Sequence, residues 1–226
     1  MGRPTTRWMV GLAIPFLASW YGCATKAPHM EPGHTAKVLI IGDSISIGYF
    51  EPTRQLLEGQ AEVYHNAGNA QHTRYGLTQL DTWLDDTPWD VIHFNFGLHD
   101  LKYINTKGAL VAPAEGRQVM SVDEYARNLE QIVRRLKQTH AKLIFATTTP
   151  VPEGSAGRIQ GDAARYNAAA LPIMKKYGVR VDDLYAFALP RLATIQRPHN
   201  VHFTPEGSQL LAEQVANSIR TALAVK

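Results

Sequence analysis

Val38-Leu39-Ile40-Ile41 is apolar at every position. A strand with one face in water alternates apolar and polar residues. An unbroken apolar run instead fits a strand covered on both faces, as in a parallel sheet flanked by helices. Further strands are predicted over 61–65, 89–96, 141–148 and 179–182, with the first over 37–41. Helices fall between them, over 52–59, 75–84, 162–177 and 184–196. The clearest one follows Ser121-Val122-Asp123-Glu124, which has the form of a capping box. Val122, Tyr125, Leu129, Ile132, Val133 and Leu136 give that helix one apolar face. The last helix starts at Pro205 behind a Thr204 cap, with Leu210, Leu211, Val215 and Ile219 on its inner face. Five β–α units predict an α/β protein, a three-layer α/β/α sandwich around a five-stranded parallel sheet.

The 226 residues, 45% of them hydrophobic, suffice for one core. Residues 1–22 stand apart. Arg3 and Arg7 precede an apolar stretch, Trp8 to Ala18, that is short for a membrane span, and small residues follow up to Gly22-Cys23-Ala24. This reads as an export signal. Cys23 is the only cysteine, so no intramolecular disulfide can form. A small residue before a cysteine, and a polar segment after it, resembles a bacterial lipoprotein signal. In that case Cys23 is acylated and attaches the protein to a membrane, periplasmic or at the outer membrane. A plain secretory signal cleaved near Ala24 or Ala27 is the alternative. Residues 23–36, with Pro28, Pro32 and Gly33, read as a flexible tether, and 37–226 as the folded domain. Loss of residues 1–22 removes two positive charges and takes the net charge from +3 to +1. With no basic stripe interleaved with aromatics, no nucleic-acid partner is expected.

In sheets of this kind chemistry gathers at the carboxyl ends of the strands. Ser44, in Gly42-Asp43-Ser44-Ile45, directly follows the first strand. Its hydroxyl becomes a nucleophile when a base takes its proton, and its own N–H can face a developing oxyanion; equally, serine there can simply cap a helix. His202, on the loop entering the last helix, is the candidate base. Gly68, in Asn66-Ala67-Gly68-Asn69, and His99, in Phe96-Gly97-Leu98-His99-Asp100, follow the second and third strands. Gly68 can donate its N–H, and a neutral His99 can donate through one ring nitrogen. His199-Asn200-Val201-His202 lacks the i, i+4 spacing of a helical metal pair, so no metal and no cofactor are expected.

Together these stretches resemble the SGNH, or GDSL-like, hydrolase family over residues 37–222. Ser44 matches the nucleophile of the first block, Gly68 the oxyanion glycine of the second, and Val201-His202-Phe203-Thr204 the last block with its base. The resemblance implies a flavodoxin-like fold and acyl-ester hydrolysis through an acyl-enzyme, with Ser44, Gly68 and His99 holding the oxyanion and no cofactor. Two departures stand out. His99 replaces the third-block asparagine. The acid expected three residues before the base is His199. Asp182, Asp183 or a backbone carbonyl are then the candidates to orient His202, or the site works as a Ser–His dyad.

The expected substrate is a small-molecule or polysaccharide ester, with O-deacetylation of a carbohydrate first and lysophospholipid or thioester cleavage next. An acyltransferase acting on glycans and a catalytically weakened glycan-binding relative are the alternatives. The long irregular segment 101–120 can fold over the rim, presenting Lys102, Tyr103 and Arg117 to a polar or anionic substrate, and Arg158 is similarly placed in the loop 154–161.

Overall fold

The computed structural model describes residues 1–2 and 34–225. Of the predicted export signal and tether, residues 3–33, Cys23 among them, lie outside the described residues. The strands of the main sheet are β1 (Ala36–Ile41), β2 (Ala61–His65), β3 (Val91–Phe94), β6 (Lys142–Ala146) and β7 (Arg180–Asp182). Every pairing is parallel, in the order β2-β1-β3-β6-β7. The order reverses between β1 and β3, so the connections leaving their carboxyl ends run to opposite sides of the sheet. β1 begins at Ala36, and the ring of His34 already bonds Asp90, so the folded part starts earlier than position 37.

The helices are α1 (Ser44–Leu56), α2 (Thr73–Leu84), α3 (Val122–Lys137), α4 (Asp162–Tyr177), α5 (Leu184–Ala188), α6 (Leu192–Ile195) and α7 (Pro205–Ala224). α1 and α7 pack together on one face of the sheet, and α7 also touches β3, β6 and β7. α2, α3 and α4 pack in series on the other. Burial follows. Val38, Ile40, Ile41, Val91, Ile92, Phe94, Ile144 and Phe145 are fully inaccessible, because each strand is covered on both sides. The predicted faces of α3 and α7 are the buried ones, with Val122 and Leu210 only partly covered.

Three elements differ from the sequence reading. α1 starts at Ser44, eight residues ahead of the expected 52–59. Gly48 and Pro52 disguise its first half, but Ile45, Tyr49 and Thr53 keep helical spacing and are buried. The expected helix over 184–196 is broken into α5, a 3₁₀ turn at Leu189–Arg191 and α6, with Pro190 in that turn. The segment 101–120 is not wholly irregular. It holds an antiparallel ribbon of β4 (Tyr103–Ile104) and β5 (Arg117–Gln118), and Tyr103 N–H donates to Gly157 C=O at 2.7 Å, which seats the ribbon on the 150s loop.

The capping box of α3 forms in both directions: Glu124 N–H donates to Ser121 Oγ, and Ser121 N–H donates to the Glu124 carboxylate at 2.9 Å. Ser121→Ala leaves Glu124 N–H without its acceptor and should cost about 1 kcal/mol. A urea titration should show a lower midpoint with an unchanged slope.

Candidate active site

Ser44 is the first residue of α1, immediately beyond β1. The cap is Asp43, whose buried carboxylate accepts from Ile45 N–H at 2.9 Å, so the serine side chain is not used in capping. Gly42 makes the turn possible: a Cβ there would lie 2.7 Å from Ser46 Oγ. Ser46 itself is buried and bonded to His65 Nε2 at 2.7 Å, out of reach of any substrate, whereas Ser44 is partly exposed.

His202 comes from the loop between α6 and α7. Val201 and Phe203 are buried on either side of it, Gln196 pairs with Phe203, and Gln196 Nε2 donates to Val201 C=O and Pro150 C=O at 3.0 Å. Alternation about these two anchors turns the imidazole toward the rim. Its Nε2 lies 2.8 Å from Ser44 Oγ, although the residues are 158 positions apart.

The group that orients His202 is Asn200. Its Oδ1 accepts from His202 N–H at 3.0 Å and from His202 Nδ1–H at 2.8 Å. With Nδ1 protonated, the Nε2 lone pair faces the serine hydroxyl, the tautomer a base requires. None of the groups expected for this task performs it. Asp182 accepts from His93 and from Gln214 Nε2 in the core, and Asp183 caps α5 and accepts from Thr147 Oγ1. His199 faces away, its Nδ1–H donating to Glu153 C=O at 2.9 Å. A signal for Asn200 does exist in the sequence. Asparagine bonds the backbone N–H two residues on in an Asx turn, and here the same oxygen also takes up the ring. A search for a carboxylate three residues before the histidine misses it.

Three N–H groups face the same rim. Ser44 N–H, at the first helical position, and Gly68 N–H, in a turn with φ +69°, have no acceptor among the described residues. The two turns are tied together by Asn66, whose Oδ1 accepts from Gly42 N–H at 2.8 Å while its Nδ2 donates to Gly68 C=O at 3.2 Å. His99 is the third. Lys102 Nζ lies 3.2 Å from its Nδ1. An ammonium can only donate, so Nδ1 is the acceptor and the ring proton sits on Nε2. Burial, then the charges of Lys102 and Arg158, push the His99 pKa down to about 3, so the ring is neutral at any ordinary pH. Gly97, two residues before it, has φ +142°, and a Cβ there would run into Thr148 Oγ1. Asp100 accepts from Thr73 N–H at 2.9 Å and Thr73 Oγ1 at 2.6 Å, locking this turn to α2; burial raises its pKa to about 7.

Of the three side chains expected from 101–120, only Lys102 touches this constellation. Arg117 lines a separate depression with Ile104 and Glu115. A cleft of about 480 Å³ opens beside the Ser44–His202 pair, lined by Gly48, Pro52, Arg197, Phe203 and Ser208. The arrangement sets an imidazole with a free Nε2 lone pair on a hydroxyl, with unpaired backbone N–H groups on neighbouring turns and an adjoining cleft.

Residues 40–210 match the GDSL-like Lipase/Acylhydrolase family. A GDSL esterase/lipase of Arabidopsis thaliana is 23% identical, with 82% of this chain and 86% of that protein covered. Among solved structures, the lipase/acylhydrolase from Enterococcus faecalis superposes with a TM-score of 0.68 at 19% identity, covering 83% of this chain and 96% of that one. An acetylxylan esterase from Geobacillus stearothermophilus gives 0.64 at 18%, covering 84% and 96%. These structures share the α/β fold described above.

Burial, then Arg158 and Arg197, lowers the pKa of His202 from its ordinary 6.5, which keeps the base free at neutral pH. The acid limb of kcat/KM should therefore fall below pH 6.5. Asn200→Asp sets an anion against Nδ1–H and favours the imidazolium, so its pKa rises. The limb of that variant should move up by about one unit in a pH–rate profile on an acetyl ester.

Proposed function

The chain belongs to the GDSL-like Lipase/Acylhydrolase family, an ester hydrolase, and from that premise we propose that it is a serine esterase working through an acyl-enzyme. The observation that carries this reading is the 2.8 Å contact between Ser44 Oγ and His202 Nε2, with the tautomer set by Asn200. Ser44 Oγ attacks the ester carbonyl as His202 Nε2 takes its proton. The new oxyanion accepts from the N–H groups of Ser44 and Gly68 and from His99 Nε2–H. The imidazolium keeps its Nδ1–H on Asn200 Oδ1. As the tetrahedral centre collapses, the ester C–O bond breaks and the leaving alcohol takes the proton from His202. Water, deprotonated by the same imidazole, then attacks the acyl-serine, and the acid departs as Ser44 recovers its proton.

Asn200 is a dipole where many such sites hold a carboxylate. It orients the ring but adds no charge to stabilise the imidazolium.

We favour short acyl groups on a carbohydrate, hence O-deacetylation. The cleft at Ser44 sets Arg197 and Ser208 among Ile45, Pro52, Phe203 and Pro205, a mixed lining that suits the hydroxyl rim and apolar face of a sugar ring. The acetylxylan esterase that shares the fold supports the same class. The wild type should react with a serine-directed fluorophosphonate and hydrolyse short-chain aryl esters. Ser44→Ala should lose the label and both Ser44→Ala and His202→Ala should lose at least a hundredfold in kcat. Labelling of Ser44→Ala equal to wild type would remove the nucleophile from the scheme.

We further propose that the enzyme is exported, on the pattern Arg3, Arg7, the apolar stretch 8–18 and Gly22-Cys23, and that Cys23 carries the lipid. Expressed in a bacterium, the wild type should sediment with membranes and show an acylated N-terminal peptide by mass spectrometry. Cys23→Ala should be found in the soluble fraction.

A further inference from the structure

Three cations stand around the Ser44–His202 pair. Arg197 lines the cleft next to Ser44 and His202. Its backbone N–H donates to His202 C=O at 2.9 Å, and its guanidinium has no partner among the described residues. Arg158 reaches in from the 150s loop, partly buried, with Nε donating to Leu98 C=O at 3.3 Å and Nη1 to Ala156 C=O at 3.2 Å; Nη2 has no partner among the described residues. Lys102 spends one N–H on His99.

Among the described residues no carboxylate forms an ion pair with any of the three. The acids whose charge reaches Lys102 and Arg158, Asp43 and Asp100, are buried and bonded to Ile45 N–H and Thr73, so neither can leave the interior to meet them. Other described arginines, among them Arg117, Arg127, Arg180, Arg191 and Arg220, also have no ion pair, so what sets Arg197 and Arg158 apart is their place beside the Ser44–His202 pair. Arg197 is exposed and Arg158 partly buried, and both positive charges oppose the one that His202 must take on during turnover.

We propose that the ester this enzyme cleaves carries a negative charge on its alcohol part, a carboxylate or phosphate held by Arg197 and Arg158. This rests on the serine-esterase reading and names the substrate class within it. The side of the ester follows from the chemistry: His202 hands its proton to the leaving oxygen, so the alcohol lies against the His202 face, where Arg197 and Phe203 line the cleft. A guanidinium fork matches the two oxygens of a carboxylate or phosphate. Once bound, the anion also lies close to the forming imidazolium and supplies the negative charge that Asn200 lacks. Lys102 contributes to the positive field that draws the anion in.

The test uses the purified full chain and matched acetyl esters. One pair is the O-acetylated methyl glucuronide and its neutral methyl ester. A second is acetylglycerol phosphate and acetylglycerol. kcat/KM should favour the charged member of at least one pair by tenfold to a hundredfold, about the worth of one charge-assisted hydrogen bond. The pair that responds identifies carboxylate or phosphate. The preference should shrink between low and high salt in the wild type itself, a readout that needs no variant to fold. In Arg197→Met and Arg158→Met the charged-to-neutral ratio should fall toward one, while Arg197→Lys should retain part of it. Equal rates for charged and neutral members, with turnover still dependent on Ser44, would overturn this inference and leave the esterase reading standing. Absence of Ser44-dependent turnover on every ester would overturn both.

Discussion

A parallel sheet covered on both faces has no room for polar chemistry except at its ends. β1 is buried at every position but Lys37, and every residue of Val91–Phe94 is inaccessible. The chain can expose functional groups only where it leaves these strands, and strands that run the same way leave at the same edge. Ser44, Gly68 and His99 therefore share a rim for a reason that has nothing to do with their own chemistry. Their separation in sequence is the length of the crossovers.

Sharing a rim does not by itself give geometry to a fraction of an ångström. Side-chain pins between turns supply that. Asn66 joins the turn after β1 to the turn after β2, and Ala70 N–H adds a bond to Gly42 C=O. Asp100 joins the turn after β3 to the start of α2, and Thr148 Oγ1 with Tyr125 OH holds Phe96 C=O. These are buried polar bonds, costly to leave unmade, so each enforces one arrangement of its turn.

The electrostatics of the site rest on two imidazoles held in opposite tautomers. Asn200 accepts from His202 Nδ1–H and leaves Nε2 as a base. Lys102 donates to His99 Nδ1 and leaves Nε2 as a donor. A neutral acceptor and a cationic donor at the same ring position produce opposite roles from the same residue type. In the proposed mechanism this lets His99 stand where an amide donor is usual, and lets Asn200 orient His202 without an acid.

Composition and periodicity alone determined the layer architecture, the five strands and the faces of α3 and α7, because burial on one or two sides leaves a repeat of two, of 3.6 or an unbroken apolar run. Local chemistry likewise marked the turns with Ser44, Gly68, His99 and His202 as candidates. Other features needed the tertiary structure. α1 was hidden behind Gly48 and Pro52 until packing against α7 showed its inner face. Asp182 and Asp183 were chemically plausible partners for His202, and only their contacts with His93, Gln214 and Thr147 showed that they belong to the fold. The tautomers and the approach of Arg158 to His202 depend on distances between segments far apart in the chain. Such distances are set by how helices and loops pack, and no local pattern of residues encodes them.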